Sequence, residues 1–114
     1  MGYRSTMVLG VPKEKQNDLL ELDLGNSADK FADIFEQEKY DTIDEGIVIY
    51  RGEYLKWYDE FKDVQAIEEF LNKTWKEFPE TTFLIGLGED GRAHSEIGAY
   101  YNYCGIYSHI EVYK

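Results

Sequence analysis

At 114 residues, 43% of them apolar, the chain has the material for one domain around one core. A formal net charge of −11 sets direct binding to nucleic-acid phosphates or an anionic membrane at a disadvantage and favours basic partners, although acidity also serves solubility alone. The one cysteine, Cys104, excludes a disulfide within this chain and fits a reducing cytosol, and no apolar run approaches the roughly 20 residues of a membrane helix.

The opening MGYRSTMVLG lacks both a basic segment and a long apolar one, so it predicts no secretion signal. Alternation through Tyr3, Ser5, Met7 and Leu9 predicts a first strand over residues 2–10. Pro12 suits the first turn of a helix that carries Leu19, Leu20 and Leu22 and stops at Gly25. Ser27 is a suitable N-cap for a second helix bearing Ala28, Phe31, Ala32, Ile34 and Phe35, with Asp29 in its first turn; that helix fades near Glu38-Lys39.

A polar connection, Tyr40–Gly46, leads to two expected strands marked by Ile47 and Ile49 and by Leu55 and Trp57, joined as a tight hairpin at Arg51-Gly52. After an acidic loop, Asp63 is expected to cap a third helix with an apolar stripe of Val64, Ile67, Phe70, Leu71, Trp75 and Phe78, which Pro79 ends. A strand over Thr81–Leu87 and a turn over Gly88–Gly91 follow. Residues 92–101 are ambiguous, and Asn102–Gly105 reads as a turn. The last strand alternates Ile106, Ser108, Ile110 and Val112 against Tyr107, His109, Glu111 and Tyr113, one face buried and one wet. The order predicts a single α+β domain over residues 1–114: a mostly antiparallel sheet of about five or six strands with helices packed on one face.

No motif dictates a chemistry. His94, Glu96, His109, Glu89, Asp90 and Glu111 could furnish metal ligands, but their spacing matches no established ligand set, and exposed strand histidines explain them equally. His94-x-Glu96 would share one strand face. Gly86-x-Gly88-x-x-Gly91 matches a dinucleotide-binding pattern in letters only, since Glu89 and Asp90 would repel a pyrophosphate and no helix follows. Cys104 has no base at a defined spacing and reads as a packed thiol. No catalytic residue, metal or cofactor is expected, and the chain reads as a binding protein rather than an enzyme.

Two binding sets remain. Tyr100, Tyr101, Tyr103, Tyr107, His109, Glu111 and Tyr113 set aromatic anchors among carboxylates, as a surface that grips a basic protein requires; Asp41, Asp44, Glu45, Asp59 and Glu60 would extend it. Alternatively, Arg4, Arg51 and Arg92 with Tyr50 and Tyr54 could stack and neutralise a nucleotide, in one copy or between two copies of a homo-oligomer. A third reading, a small metal-dependent hydrolase, would need an ordered metal or an activated nucleophile in a pocket.

Three stretches carry a resemblance: Met1-Gly2-Tyr3-Arg4-Ser5 running into a strand, Lys56-Trp57-Tyr58 followed by Asp63-Val64 and an amphipathic helix, and the strand end Ile85-Gly86-Leu87-Gly88-Glu89-Asp90. Together they resemble a group of small bacteriophage proteins that begin MGYRS. The resemblance spans most of the chain, carries no functional residue, and is weakest after Asp90. It implies an anti-defence or modulating role in the host cytoplasm, by stoichiometric binding to a defence nuclease, a CRISPR effector, the transcription machinery or a signalling nucleotide.

Overall fold

The computed structural model describes residues 3–25, 30–38, 46–107 and 109–113. Five strands form one antiparallel sheet in the order β2-β3-β1-β4-β5: β1 (Ser5–Pro12), β2 (Glu36–Gln37), β3 (Ile47–Leu55), β4 (Phe83–Gly88) and β5 (Ala93–Ile97). A separate two-stranded hairpin, β6 (Cys104–Ile106) with β7 (Ile110–Val112), completes the fold. The α+β architecture agrees with the sequence expectation.

The strands β1 and β4 and the first half of β3 are buried on both faces, which explains their nearly continuous apolar runs. On one face Met7, Leu9, Val11, Val48, Tyr50 and Leu84 pack against α1 (Gln16–Leu20), α2 (Phe31–Ile34) and α3 (Lys62–Glu77). On the other, Val8, Ile47, Ile49, Phe83, Ile85 and Leu87 pack against the hairpin through Cys104 and Ile110. The helices therefore lie on one face, and the last segment of the chain covers the other.

Several local expectations change. The Arg51-Gly52 hairpin does not form: β3 runs straight through it for nine residues, and Gly52 is buried with Phe35 carbons 3.1 Å from where a Cβ would stand. Close packing, not a turn, selects glycine there. Trp57 lies beyond the strand, buried edge-to-face on Phe35, with its indole N–H donating to Glu68 Oε2 at 2.9 Å.

The first helix begins as a 3-10 turn at Lys13–Lys15 and ends at Leu20, before Gly25. The second shrinks to four residues capped at Lys30, because Phe35 returns to an extended conformation and β2 follows. The expected N-cap Ser27, with Ala28 and Asp29, lies outside the described residues, as do Lys39 and the acidic connection with Asp41, Asp44 and Glu45. α3 starts one residue before Asp63, whose carboxylate accepts from the Val64 N–H inside the first turn, and ends before Pro79. Its buried stripe is Val64, Ile67, Leu71 and Thr74, with Trp75 turned partly to solvent.

The last strand is divided. Tyr100–Asn102 form a 3-10 turn, and residues 104–106 pair antiparallel with 110–112. Ser108 lies outside the described residues.

Candidate functional site

Three side chains seat the hairpin on the sheet. The Tyr103 ring stacks on Phe83 with centroids 5.3 Å apart and planes 10° from parallel, and its hydroxyl donates to the Glu80 carbonyl at 2.9 Å. Arg51, facing the hairpin from β3, donates to the Ile110 carbonyl at 2.8 Å and pairs with the Glu38 carboxylate. The planar guanidinium holds the two partners through separate nitrogens, Nε and Nη2, in one fixed geometry. Cys104 lies beneath, and burial pushes its thiol up to about 12, opposed by the nearby Arg51 charge. At neutral pH it is a packed, unreactive thiol.

The outward face of the hairpin carries the aromatic set. Gly105 pairs with Glu111, and the Tyr107 and Tyr113 phenols converge above Gly105. A Cβ at residue 105 would stand 2.8 Å from the Tyr113 hydroxyl, so glycine makes room for this pair. Tyr107 is 60% exposed and Tyr113 41%, and His109 and Glu111 are also exposed. Tyr101 is exposed and meets Tyr100 edge-to-face, while Tyr100 packs partly into the core. Tyr103 departs from the expected surface set: at 8% exposure it is a core residue.

The nucleotide set is divided between faces. Tyr50, only 3% exposed, lies on the helix face, where its hydroxyl accepts from Gln16 Nε2 at 2.9 Å; Arg51 points to the opposite face. Arg92 is a solvent-exposed side chain near Asp90. Arg4, Arg51 and Tyr54 do come together, lining a cleft of about 510 Å³ that also contains Glu53, Glu89, Asp90 and His109. Arg4 donates to the Tyr54 carbonyl at 3.0 Å, and Tyr54 adopts φ 57° with its ring 79% exposed. Left-handed backbone at a non-glycine residue costs about 1–2 kcal/mol. A second hollow of about 550 Å³, bordered by Glu38, Glu111 and Tyr113, shares Arg51, His109 and Ile110 with the first. The two form one groove along the hairpin.

A polar cluster escapes the sequence. His94 Nε2 lies 2.8 Å from Ser5 Oγ and its Nδ1 lies 2.8 Å from Ser95 Oγ, while Tyr3 donates to Asp90 nearby. Ser5 and His94 are 89 positions apart, and only the β1-β4-β5 order brings them together. His94 and Glu96 do not share a face as expected: the register shifts within β5, Ser95 takes φ 57°, and His94 turns inward while Glu96 stays in solvent. With 3% exposure, Ser5 is sealed from any substrate, so the pair orients the imidazole rather than forming a nucleophile. Among the described residues no three His, Cys, Asp or Glu side chains converge as a metal cage.

Burial holds His94 below the ordinary imidazole range, against the opposing pull of Asp90, Glu68 and Asp59. The unfolded chain then binds the proton more readily, so this contribution is complete above about pH 6.5 and is lost as pH falls through the folded value. Urea midpoints should drop on acidification through this window, and His94→Gln should flatten that part of the profile. An unchanged slope in the variant would remove His94 as its source.

Compared with family models, curated proteins and solved structures, the chain matches none. Among the described residues no helix is long and apolar enough to cross a membrane.

Proposed function

We propose that this is a phage-type protein that acts by stoichiometric binding, docking its C-terminal hairpin and the adjoining groove on a basic surface of a host cytoplasmic protein and thereby inhibiting or modulating it. The single observation carrying this reading is the pair of exposed rings, Tyr107 and Tyr113, brought together over Gly105 beside Glu111 on a braced hairpin. Rigid aromatic rings anchor an interface with little entropy lost, and surrounding carboxylates steer and select a basic partner. Capture from host lysate at low and high salt, with and without these rings, tests it.

A second reading, sequestration of a nucleotide immune signal, draws on the convergence of Arg4, Arg51 and Tyr54 in one cleft. The cleft's Glu53, Glu89 and Asp90 outnumber its arginines, and Arg51 is already paired with Glu38, so the local field opposes a phosphate. Thermal-shift screening with cyclic and ADP-ribose-type nucleotides separates the readings. Stabilisation by several degrees with one nucleotide, and none with a basic protein, would reverse their order.

A further inference from the structure

On the helix face of the sheet, away from the hairpin, a hollow of about 260 Å³ opens between the end of β3 and the first turns of α3. Its apolar lining comes from Ile34 of α2, Leu55 of β3, Trp57, and Phe61, Val64 and Ile67 at the start of α3. Arg4 and Lys56 supply cations there, and Asp63 a carboxylate. We propose that this hollow binds a small apolar monocarboxylate, its hydrocarbon on the core side chains and its anion at Arg4 and Lys56.

The backbone is shaped around this hollow. Ser5 pairs with Leu55 and Met7 with Gly52, so β3 carries one more residue than β1 over that interval. Such a bulge re-aims the side chains beside it. Here Tyr54, at φ 57° and 79% exposed, stands at the rim, and Leu55 becomes a wall. Arg4 Nη1 donates to the Tyr54 carbonyl at 3.0 Å, which braces the left-handed residue and fixes the guanidinium beside the hollow. Strain of this kind persists where the surroundings over-determine it, and it clusters at ligand clamps.

Charge and surface together select the ligand. The cleft of about 510 Å³ sets Glu53, Glu89 and Asp90 against two arginines, and a further hollow beside His94 holds Asp59, Glu60 and Glu68 with no lysine or arginine in its lining. Beside α3 the balance reverses: Arg4 and Lys56 face only Asp63, whose carboxylate accepts from the Val64 N–H. That bond already satisfies a donor of the helix N-terminus, so the two side chains rather than the helix end draw the anion. A guanidinium meets a carboxylate through paired N–H donors, and the six apolar side chains reward a hydrocarbon that inorganic phosphate or a sugar lacks. The volume lies just below the roughly 300 Å³ at which drug-sized pockets begin, which limits the ligand to a short chain or a single ring.

The test is a titration of the full chain with octanoate, followed by methyl NMR at about 150 mM salt, where distant carboxylates are screened beyond about 8 Å. Saturable shifts are expected at the Ile34, Val64 and Ile67 methyls, with a midpoint on the order of 1 mM for a ligand of about ten heavy atoms. Octanamide, equal in shape but uncharged, should bind about tenfold more weakly. Lys56→Gln, at an exposed position, should weaken octanoate about threefold and leave octanamide unchanged. Arg4→Gln should weaken octanoate about tenfold. Absence of saturable shifts would overturn the site, and equal binding of octanoate and octanamide would overturn the assignment of an anion. Shifts confined to the Leu87 and Ile110 methyls would overturn it as well, by placing the ligand in the cleft on the opposite face. The hairpin lies on that other face, so each outcome leaves the basic-partner reading to its own test.

Discussion

Phe83→Ala is expected to destabilise the fold by about 3–5 kcal/mol, the usual range for removing a fully buried phenylalanine, and to loosen the C-terminal hairpin. Phe83 has no exposed surface, and its ring forms the platform on which Tyr103 stacks. Without it, Tyr103 loses its stacking partner, and the hairpin is left with the Cys104 and Ile110 packing, the Tyr103 bond to the Glu80 carbonyl and the Arg51 bond. Cys104 reports the outcome. Its thiol is buried and pushed up to about 12, so alkylation at neutral pH should be slow in the native protein and much faster in the variant. Urea unfolding and a thiol-labelling time course measure the two effects. A destabilised variant whose Cys104 labels no faster than before would show that the stack does not secure the hairpin.

The second large effect concerns binding. Replacing both Tyr107 and Tyr113 with alanine should weaken binding to a basic partner by about 2–4 kcal/mol, or roughly 30- to 1000-fold, as expected for a central aromatic anchor. Glu111→Gln, which removes one exposed charge, should cost less than about 1 kcal/mol. The order of these losses carries the content: rings anchor, carboxylates steer. Both tyrosines point away from the core, so folding stability should change by no more than about 0.5–1 kcal/mol in either variant. Equal losses, or a larger loss from Glu111→Gln, would make charge rather than aromatic packing the source of affinity.

Much of the fold was legible because periodicity reports burial. Val8, Ile47, Ile49, Phe83 and Ile85 all declare buried strands, and Val64, Ile67 and Leu71 declare the helix that packs across them. Turn chemistry was less decisive. Arg51-Gly52 looks like a hairpin turn, yet Gly52 is there because Phe35 and Leu55 crowd it. The alternation through Ile106, Ile110 and Val112 suits one long strand or two short ones folded back, and the chain takes the second course, pairing residues 104–106 with 110–112. The site was legible in composition and not in geometry. Tyr107, His109, Glu111 and Tyr113 do gather on one element, whereas Tyr103 turned inward because Phe83 offers it a stacking surface. The Ser5–His94 pair could not be found from spacing, since sheet order alone sets it. Likewise, no local pattern indicates that Arg51 reaches the Ile110 carbonyl across the groove.

The most direct measurement is capture of host proteins on the immobilised chain, comparing the native sequence with the Tyr107→Ala/Tyr113→Ala variant at low and high salt. A steering field is screened over about 8 Å at physiological ionic strength. The expected result is one basic protein held in stoichiometric amount by the native chain, released as salt rises and absent from the variant. Retention of the same material by both chains, or capture of an acidic protein indifferent to salt, would contradict the account.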